Sequence, residues 1–415
     1  MRTVQAMDQA LTNPRRERGL ALVKGKRKAF RQIAGDTFFV PSQTNAGSGY
    51  VVDLTAAGRC SCPDWEERKE PCKHVFALRL FRHEAAMPDG STVVTQGIRL
   101  TYGQDWASYN AAQVAEKDTA LVLLNGLCDA IPSAPRKPGR PCMPLRDVVY
   151  GSAVKVYTGM SARRASSDLR ACTVAGHMAD APAWNTVCKY MEKPELLPLL
   201  RTLVDESARP LRAVERQFAV DGTGFATQTY VRWFDYKHGE DRRVQRWIKL
   251  HAAVGTLTNV ITAAEVTEGS ANDSPEFIGL VDRTAANFNV GEVSADKAYL
   301  SHANLAAVER VGAVPFVPFK SNSGSSGSAA WERMNAYFTL HKDDFLRHYH
   351  ARSNVESTFS AMKRKFGAGL RSKTQAAQFN EAMLKALCFN LSMLVHAIHK
   401  FGIEPKFWTP REVQS

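Results

Sequence analysis

The feature that most limits what this chain can fold into is the order of hydrophobic periods after residue 216. Gln217-Phe218-Ala219-Val220-Asp221 alternates as a strand, Gln228 to Phe234 reads as another, and Trp247–Val254 with Asn259–Val266 reads as a hairpin around Gly255-Thr256. Ser274-Pro275 then opens a helix to about Asn287, with a capping residue before Pro at the first position. Glu292–Asp296 is a strand, His302–Arg310 a helix, Val314–Pro318 a strand and 349–366 a helix. A final amphipathic helix carries Phe379, Met383, Leu387, Leu391, Leu394 and Ile398, and stops near Gly402 and Pro405. Strands clustered first and then alternating with helices call for an α/β domain with a mixed sheet flanked by helices.

The rest of the chain is organised differently. Its 415 residues leave room for two to four domains. Residues 1–35 form a basic arm holding Arg15, Arg16, Arg18, Lys24, Lys26, Arg27, Lys28 and Arg31, which is either a phosphate-contacting element or a solvated leader. A small module with a hairpin (Thr37–Val40, Gly49–Leu54) and a helix (Cys72 to about Arg82) spans 36–90. Residues 91–144 are a helical segment ending in a linker rich in Pro, Gly and Arg, where Arg136–Pro141 only approximates a minor-groove hook and a flexible connector is the better reading. Residues 145–215 are helical and a candidate DNA-binding region, although nothing in their pattern separates a helix-turn-helix from a plain bundle. Residues 216–400 are the α/β domain, with an insertion near 319–345 that includes the Gly/Ser loop Ser321–Ser328, and 401–415 are a tail.

The formal charge of +13 favours a polyanionic partner. Nucleic acid is favoured over a membrane surface, because no apolar run approaches the roughly 18–20 residues needed to span a bilayer. The N-terminus lacks the apolar stretch of a secretory signal, so a cytoplasmic protein is expected. Cys128, Cys142, Cys172, Cys188 and Cys388 stand alone and read as reduced thiols.

Three other cysteines do not stand alone. Cys60-Ser61-Cys62 and Cys72-Lys73-His74 place four Zn²⁺-type ligands, in two close pairs, within 15 residues. With all four positions used, the site is expected to be closed and structural. The cluster, with Cys62-Pro63-Asp64-Trp65 and Cys72-Lys73-His74-Val75, resembles the SWIM zinc finger over about residues 36–85. That resemblance implies contact with DNA or protein without saying which.

Three acids form the other constellation. Asp221 and Asp296 each close a predicted strand, and Glu356 lies on a predicted helix. Hard carboxylate oxygens from rigid elements are what two-metal phosphoryl transfer needs, although a lone strand-ending Asp is more often a turn former. Tyr349, Arg352, Glu356 and Lys363 are spaced by 3, 4 and 7, which would put them on one helix face within an arc of about 60°. This is a metal-and-phosphate face or a solvated charged one.

Tyr349-x2-Arg352-x3-Glu356-x6-Lys363 matches the Tyr-Arg-Glu-Lys signature of a large group of bacterial insertion-sequence DDE transposases. Asp221 in Val-Asp-Gly-Thr-Gly-Phe and Asp296 in Ala-Asp-Lys-Ala-Tyr resemble that group's two catalytic aspartates, and Ala-Asn-Asp-Ser-Pro-Glu-Phe and Leu-Cys-Phe-Asn-Leu are similar to further segments. The resemblance spans about 215–400 and implies a ribonuclease-H-like catalytic domain. It implies two Mg²⁺ or Mn²⁺ ions held by Asp221, Asp296 and Glu356, water attack at the element end, and attack of the freed 3′-hydroxyl on target DNA. Tyr349, Arg352 and Lys363 would contact the DNA backbone. The implied partners are double-stranded element ends and target DNA, with at least a homodimer in the synaptic complex and a nucleoid-associated location. The zinc module and the 60-position gap between Asp296 and Glu356 depart from the compact members of the group. Three alternatives stay open: a non-catalytic DNA-binding descendant of a transposase, a ribonuclease-H-like nuclease without strand transfer, and a protein-interaction module centred on the zinc finger.

Overall fold

The computed structural model describes residues 14–34, 36–45, 48–55, 58–82, 84–86, 92–94, 105–132, 142–227 and 247–408. The expected strand Gln228–Phe234 and the segment Arg136–Pro141 lie outside them. The chain divides into two compact units, Met1–Gly103 and Gln104–Ser415.

In the first unit, α1 (Pro14–Lys26) precedes the strands β1 (Arg31–Ala34), β2 (Thr37–Pro41), β3 (Gly49–Asp53) and β4 (Arg59–Cys60). The helices α2 (Pro63–Arg68) and α3 (Lys73–Arg82) and a two-stranded ribbon, β5 (Glu84–Ala86) with β6 (Thr92–Val94), follow. The four strands form one antiparallel sheet in sequence order. Much of the segment read as a basic arm is therefore structured: α1 buries Leu22 and Val23 in the same core as Val40, Val52, Val75 and Leu78. Its basic residues hid an apolar stripe that spacing alone did not reveal. Gly19 permits the close crossing of α1 on α3, since a Cβ there would lie 2.9 Å from both the Ala77 amide nitrogen and the Lys73 carbonyl oxygen. So small a core is short of the burial that an independent domain needs, which is the situation a structural metal relieves.

The second unit begins with five helices, α4 (Trp106–Cys128), α5 (Leu145–Tyr157), α6 (Ala162–Val174), α7 (Trp184–Met191) and α8 (Leu196–Ala208). Next come β7 (Gln217–Ala226), β8 (Trp247–Gly255), β9 (Ile261–Glu268), α9 (Glu276–Asn287), β10 (Glu292–Ala295), α10 (His302–Arg310) and β11 (Val314–Phe316). The chain then runs through α11 (Ala329–Leu340), α12 (Lys342–Tyr349), α13 (Ser353–Phe366) and α14 (Gln375–Phe401). The sheet order is β11-β10-β7-β8-β9; β10 runs parallel to β7 and β11, while β7, β8 and β9 form an antiparallel meander. This is the mixed sheet flanked by helices expected from the sequence.

The boundaries expected at 144 and 215 do not separate cores. Val149, Tyr150, Leu200 and Leu203 share one hydrophobic cluster with β7 to β9 and α14. From Asp147 through Val156, every residue of α5 is buried, and a helix enclosed on all sides has no face left for a DNA groove.

The strand α14 packs beside is pinned by a side chain. Asn390 Oδ1 accepts from the Ile261 amide at 2.8 Å, and Nδ2 donates to the Ile261 carbonyl at 2.7 Å and to Ser207 Oγ at 2.9 Å. Among the described residues α14 is the one helix long and apolar enough to cross a membrane, and 78% of its apolar window is buried inside the unit. The expected insertion contains α11 and the first half of α12. Phe338 and Phe345 pack on Phe319 and Phe316, so these helices cover the β11 edge of the sheet and lead the chain into α13.

Candidate functional sites

The zinc-ligand set comes together as its spacing predicted. Cys60 ends β4, Cys62 caps α2 with Pro63 behind it, Cys72 precedes α3 and His74 lies in its first turn. All four side chains are buried and their donor atoms lie within 4.8 Å of one another. His74 Nδ1 is 3.9 Å from Cys60 Sγ and 3.8 Å from Cys72 Sγ. With Zn–S bonds of 2.3 Å, the edge of a regular tetrahedron is roughly 3.8 Å, so the donors fit that ion. The thiols already share protons unevenly: a hydrogen bond from Cys60 pushes the Cys72 thiol down and raises that of Cys60. Trp65 of the Cys-Pro-Asp-Trp run braces the module by donating to the Gly58 carbonyl at 3.2 Å.

The acids sit where the sheet changes character. β10 pairs with β7 only as far as Ala295 opposite Val220, so Asp296 and Asp221 are the next residues on two adjacent parallel strands. Asp221 was expected to end its strand. β7 instead continues to Ala226, because β8 pairs with it along its whole length, Gly222 opposite His251 and Gly224 opposite Lys249. The two glycines end the apolar alternation without ending the ladder. Asp296 caps a tight turn, Lys297–Tyr299, with its Oδ1 accepting from the Lys297 amide at 2.6 Å.

Glu356 comes from α13, which is tethered to the β8–β9 turn. Asn354 Nδ2 donates to the Thr256 carbonyl at 3.0 Å, and Thr358 Oγ1 to Asn259 Oδ1 at 3.2 Å. Asn259 holds its place with φ of 60°, a left-handed conformation that Asn tolerates. Tyr349, Arg352, Glu356 and Lys363 were expected on one continuous helix. They lie on one helical run in which α12 passes through a single 3₁₀ turn, His350–Arg352, into α13, with helical backbone angles kept at Tyr349, Arg352 and Ser353. That turn carries the Arg352 guanidinium to the acids: Nη1 donates to Asp221 Oδ2 at 2.8 Å and Nη2 to Glu356 Oε1 at 2.6 Å. Asp221 and Glu356 are thus joined through a guanidinium rather than meeting at a shared point. Tyr349 lies against Arg352, with its ring centroid 5.9 Å from the guanidinium carbon. Lys363 reaches the Phe225 ring on β7 at 5.6 Å, and burial pulls its pKa down.

The electrostatics favour a cation. Burial raises the Asp221 carboxyl above its ordinary value; the Gly222 amide and Arg352 oppose that, while Asp296 and Glu356 add to it. Three carboxylates against one guanidinium leave a surplus of negative charge carried by hard oxygen donors, and a divalent ion such as Mg²⁺ or Mn²⁺ would meet it. The donor chemistry suits such an ion, but among the described residues the metal-type donors already gathered at one point are those of Cys60, Cys62, Cys72 and His74.

Sequence reasoning missed the polar group on the other face of β7. Lys249 Nζ donates to Asp273 Oδ1 at 2.9 Å, and the fully buried His251 places Nδ1 3.7 Å from the same oxygen. Asp273 lay inside the quoted Ala-Asn-Asp-Ser-Pro segment, in the loop between β9 and α9, and its nearness to Lys249 and His251 on β8 is a tertiary contact that spacing does not record.

Residues 212–391 match the family model described as "Transposase DDE domain". The chain carries a transposase DDE domain. Residues 50–78 match the SWIM zinc finger model, so the four-ligand module belongs to that type. Among solved structures, a piggyBac transposase synaptic complex with hairpin DNA is similar at 11% identity and a TM-score of 0.33, over 72% of this chain and 77% of that one. In the transposase domain, Asp221, Asp296, Glu356 and all of Tyr349 to Lys363 fall inside the matched residues.

Proposed function

We propose that this transposase is catalytically active: it cleaves DNA strands at the ends of an insertion sequence and joins them to a target. The observation that carries the reading is the convergence of Asp221, Arg352 and Glu356, with Asp296 beside Asp221 on the neighbouring strand. Asp221, Asp296 and Glu356 would hold two Mg²⁺ or Mn²⁺ ions. Bound there, the ions supply Lewis acidity at the phosphoryl group and activate the attacking oxygen. In the first step water adds to phosphorus and the P–O bond to the 3′ oxygen breaks, leaving a 3′-hydroxyl. In the second, that hydroxyl adds to the phosphorus of a target phosphodiester and loses its proton, while the P–O bond to the target's own 3′ oxygen breaks and that oxygen leaves as a 3′-hydroxyl.

The protein's own part is positional. Arg352, released from the carboxylates, presents a bidentate fork to a phosphate, and Lys363 with Tyr349 lines the same helix approach. The zinc module would add DNA or protein contacts, and pairing two element ends calls for at least a dimer. The test is Mg²⁺-dependent cleavage of duplexes bearing the element ends, with joined products scored separately. Asp221→Ala and Glu356→Ala should bind the duplex and neither cut nor join. Cutting retained in either variant would remove the assignment, and cutting without joined products in the parent chain would make it a nuclease.

A further inference from the structure

Tyr299 is locked in place, yet its reactive end is left without a partner. Its amide closes the turn on the Asp296 carbonyl at 2.9 Å, and its ring packs on Phe277 with centroids 5.6 Å apart. Asn304 Nδ2 donates to the Tyr299 carbonyl at 2.8 Å and to Ser274 Oγ at 3.1 Å, tying the turn to the start of α9. The side chain is 1% exposed, and its hydroxyl is buried with no hydrogen-bond partner. The charged groups acting on that hydroxyl are Asp221, Asp273, Asp296 and Arg352. The carboxylates among them can only accept, and Arg352 only donates.

An unpartnered buried hydroxyl is destabilising, and phenylalanine would fill the same ring volume without that penalty. A partner that forms when the site is loaded accounts for the hydroxyl. Metal-bound carboxylates turn some oxygens to the ion and leave outer lone pairs that need donors. Among the described residues, the Gly222 amide and Arg352 serve Asp221, while one oxygen of Asp296 takes the Lys297 amide and the other takes no donor.

We propose that Tyr299 is a positioning residue of the transposase site, its hydroxyl donating to one aspartate carboxylate, Asp296 or Asp221, when they hold a divalent cation. This rests on the metal-binding reading of Asp221, Asp296 and Glu356. Burial, reinforced by the neighbouring aspartates, raises the phenol pKa and keeps the proton available to donate.

The experiment compares the full zinc-loaded chain with its Tyr299→Phe and Asp221→Asn variants. Mn²⁺ is titrated without DNA by calorimetry, and melting is recorded without Mn²⁺. Tyr299→Phe is expected to lower Mn²⁺ affinity about 10- to 100-fold, as loss of an outer-shell partner does, with metal-free melting unchanged or higher. Two results overturn the proposal: Mn²⁺ affinity within about twofold of the parent while Asp221→Asn abolishes binding, or metal-free melting that falls, which would show a purely structural partner. If the parent and Asp221→Asn bind Mn²⁺ alike, or neither binds it, the metal-binding reading itself fails and the role of Tyr299 falls with it.

Discussion

Arg352 occupies the position a cation would compete for, so its removal has a calculable effect. Its contact with Asp221 joins side chains 18% and 22% exposed, and its contact with Glu356 reaches a side chain 60% exposed. The first is a charge-assisted hydrogen bond in a partly dry setting, about 1.5–3 kcal/mol; the second is screened by solvent and contributes about 0–1 kcal/mol. Arg352→Gln therefore costs the metal-free protein about 2 kcal/mol, less whatever Asp221 recovers by taking up a proton. Cation binding must break the same contact, so without DNA the variant should bind Mn²⁺ roughly 30-fold more tightly, at about 1.4 kcal/mol per tenfold. Loss of the repelling guanidinium acts in the same direction. Calorimetric titration and thermal melting of parent and variant measure both numbers. Mn²⁺ affinity that is unchanged or weaker in Arg352→Gln would refute the competition. With DNA present the sign should reverse for duplex affinity, because the phosphate fork is gone.

Other expectations follow from particular contacts. Stripping zinc, or Cys72→Ser, should collapse hydrogen-exchange protection in β2, β3 and α3, because the ion staples a small core; protection surviving chelation would show the module folds without it. Burial raises Glu215 from its ordinary 4.5 to about 6, so the folded state holds a proton there that the unfolded chain has lost. Its stabilisation is present below about 4.5 and lost as pH rises through about 6, a change of about 2 kcal/mol. Glu215→Gln should flatten melting temperature against pH in that window, and an unaltered slope would assign the dependence elsewhere. Asn390→Ala strands the amide and carbonyl of Ile261 in a buried setting and should lower stability by about 2–4 kcal/mol in denaturant titration. A loss under about 0.5 kcal/mol would mean α14 holds the sheet by packing alone.

Much of the second unit was legible because its signals are local. The helix His302–Arg310 is bounded as its sequence implied, with Ser301 accepting from the Asn304 amide as its cap. The zinc site was legible because two ligand pairs around a short helix leave little geometric freedom. The extent of β7 was not, since a strand partner on β8 overrides the glycines that read as a stop. The tightening of the helix to a 3₁₀ turn between α12 and α13 was not either. Asp273 and Tyr299 escaped because their neighbours are distant in sequence: the Tyr299 hydroxyl lies among aspartates drawn from β7, the start of α9 and the end of β10. The fusion of 145–215 into the core of the second unit was hidden for a related reason. A helix buried all round and a helix in a bundle differ in tertiary surroundings, which periodicity does not record.

The central proposal is that Asp221, Asp296 and Glu356 hold, between them, the two divalent ions of one site. Anomalous diffraction from crystals of the chain soaked in Mn²⁺ tests it most directly. Anomalous density is expected within coordination distance of all three carboxylates, with the Arg352 guanidinium withdrawn from Asp221. Density that omits one of the acids, or a fully occupied Mn²⁺ site elsewhere with Arg352 still bridging Asp221 and Glu356, would contradict it.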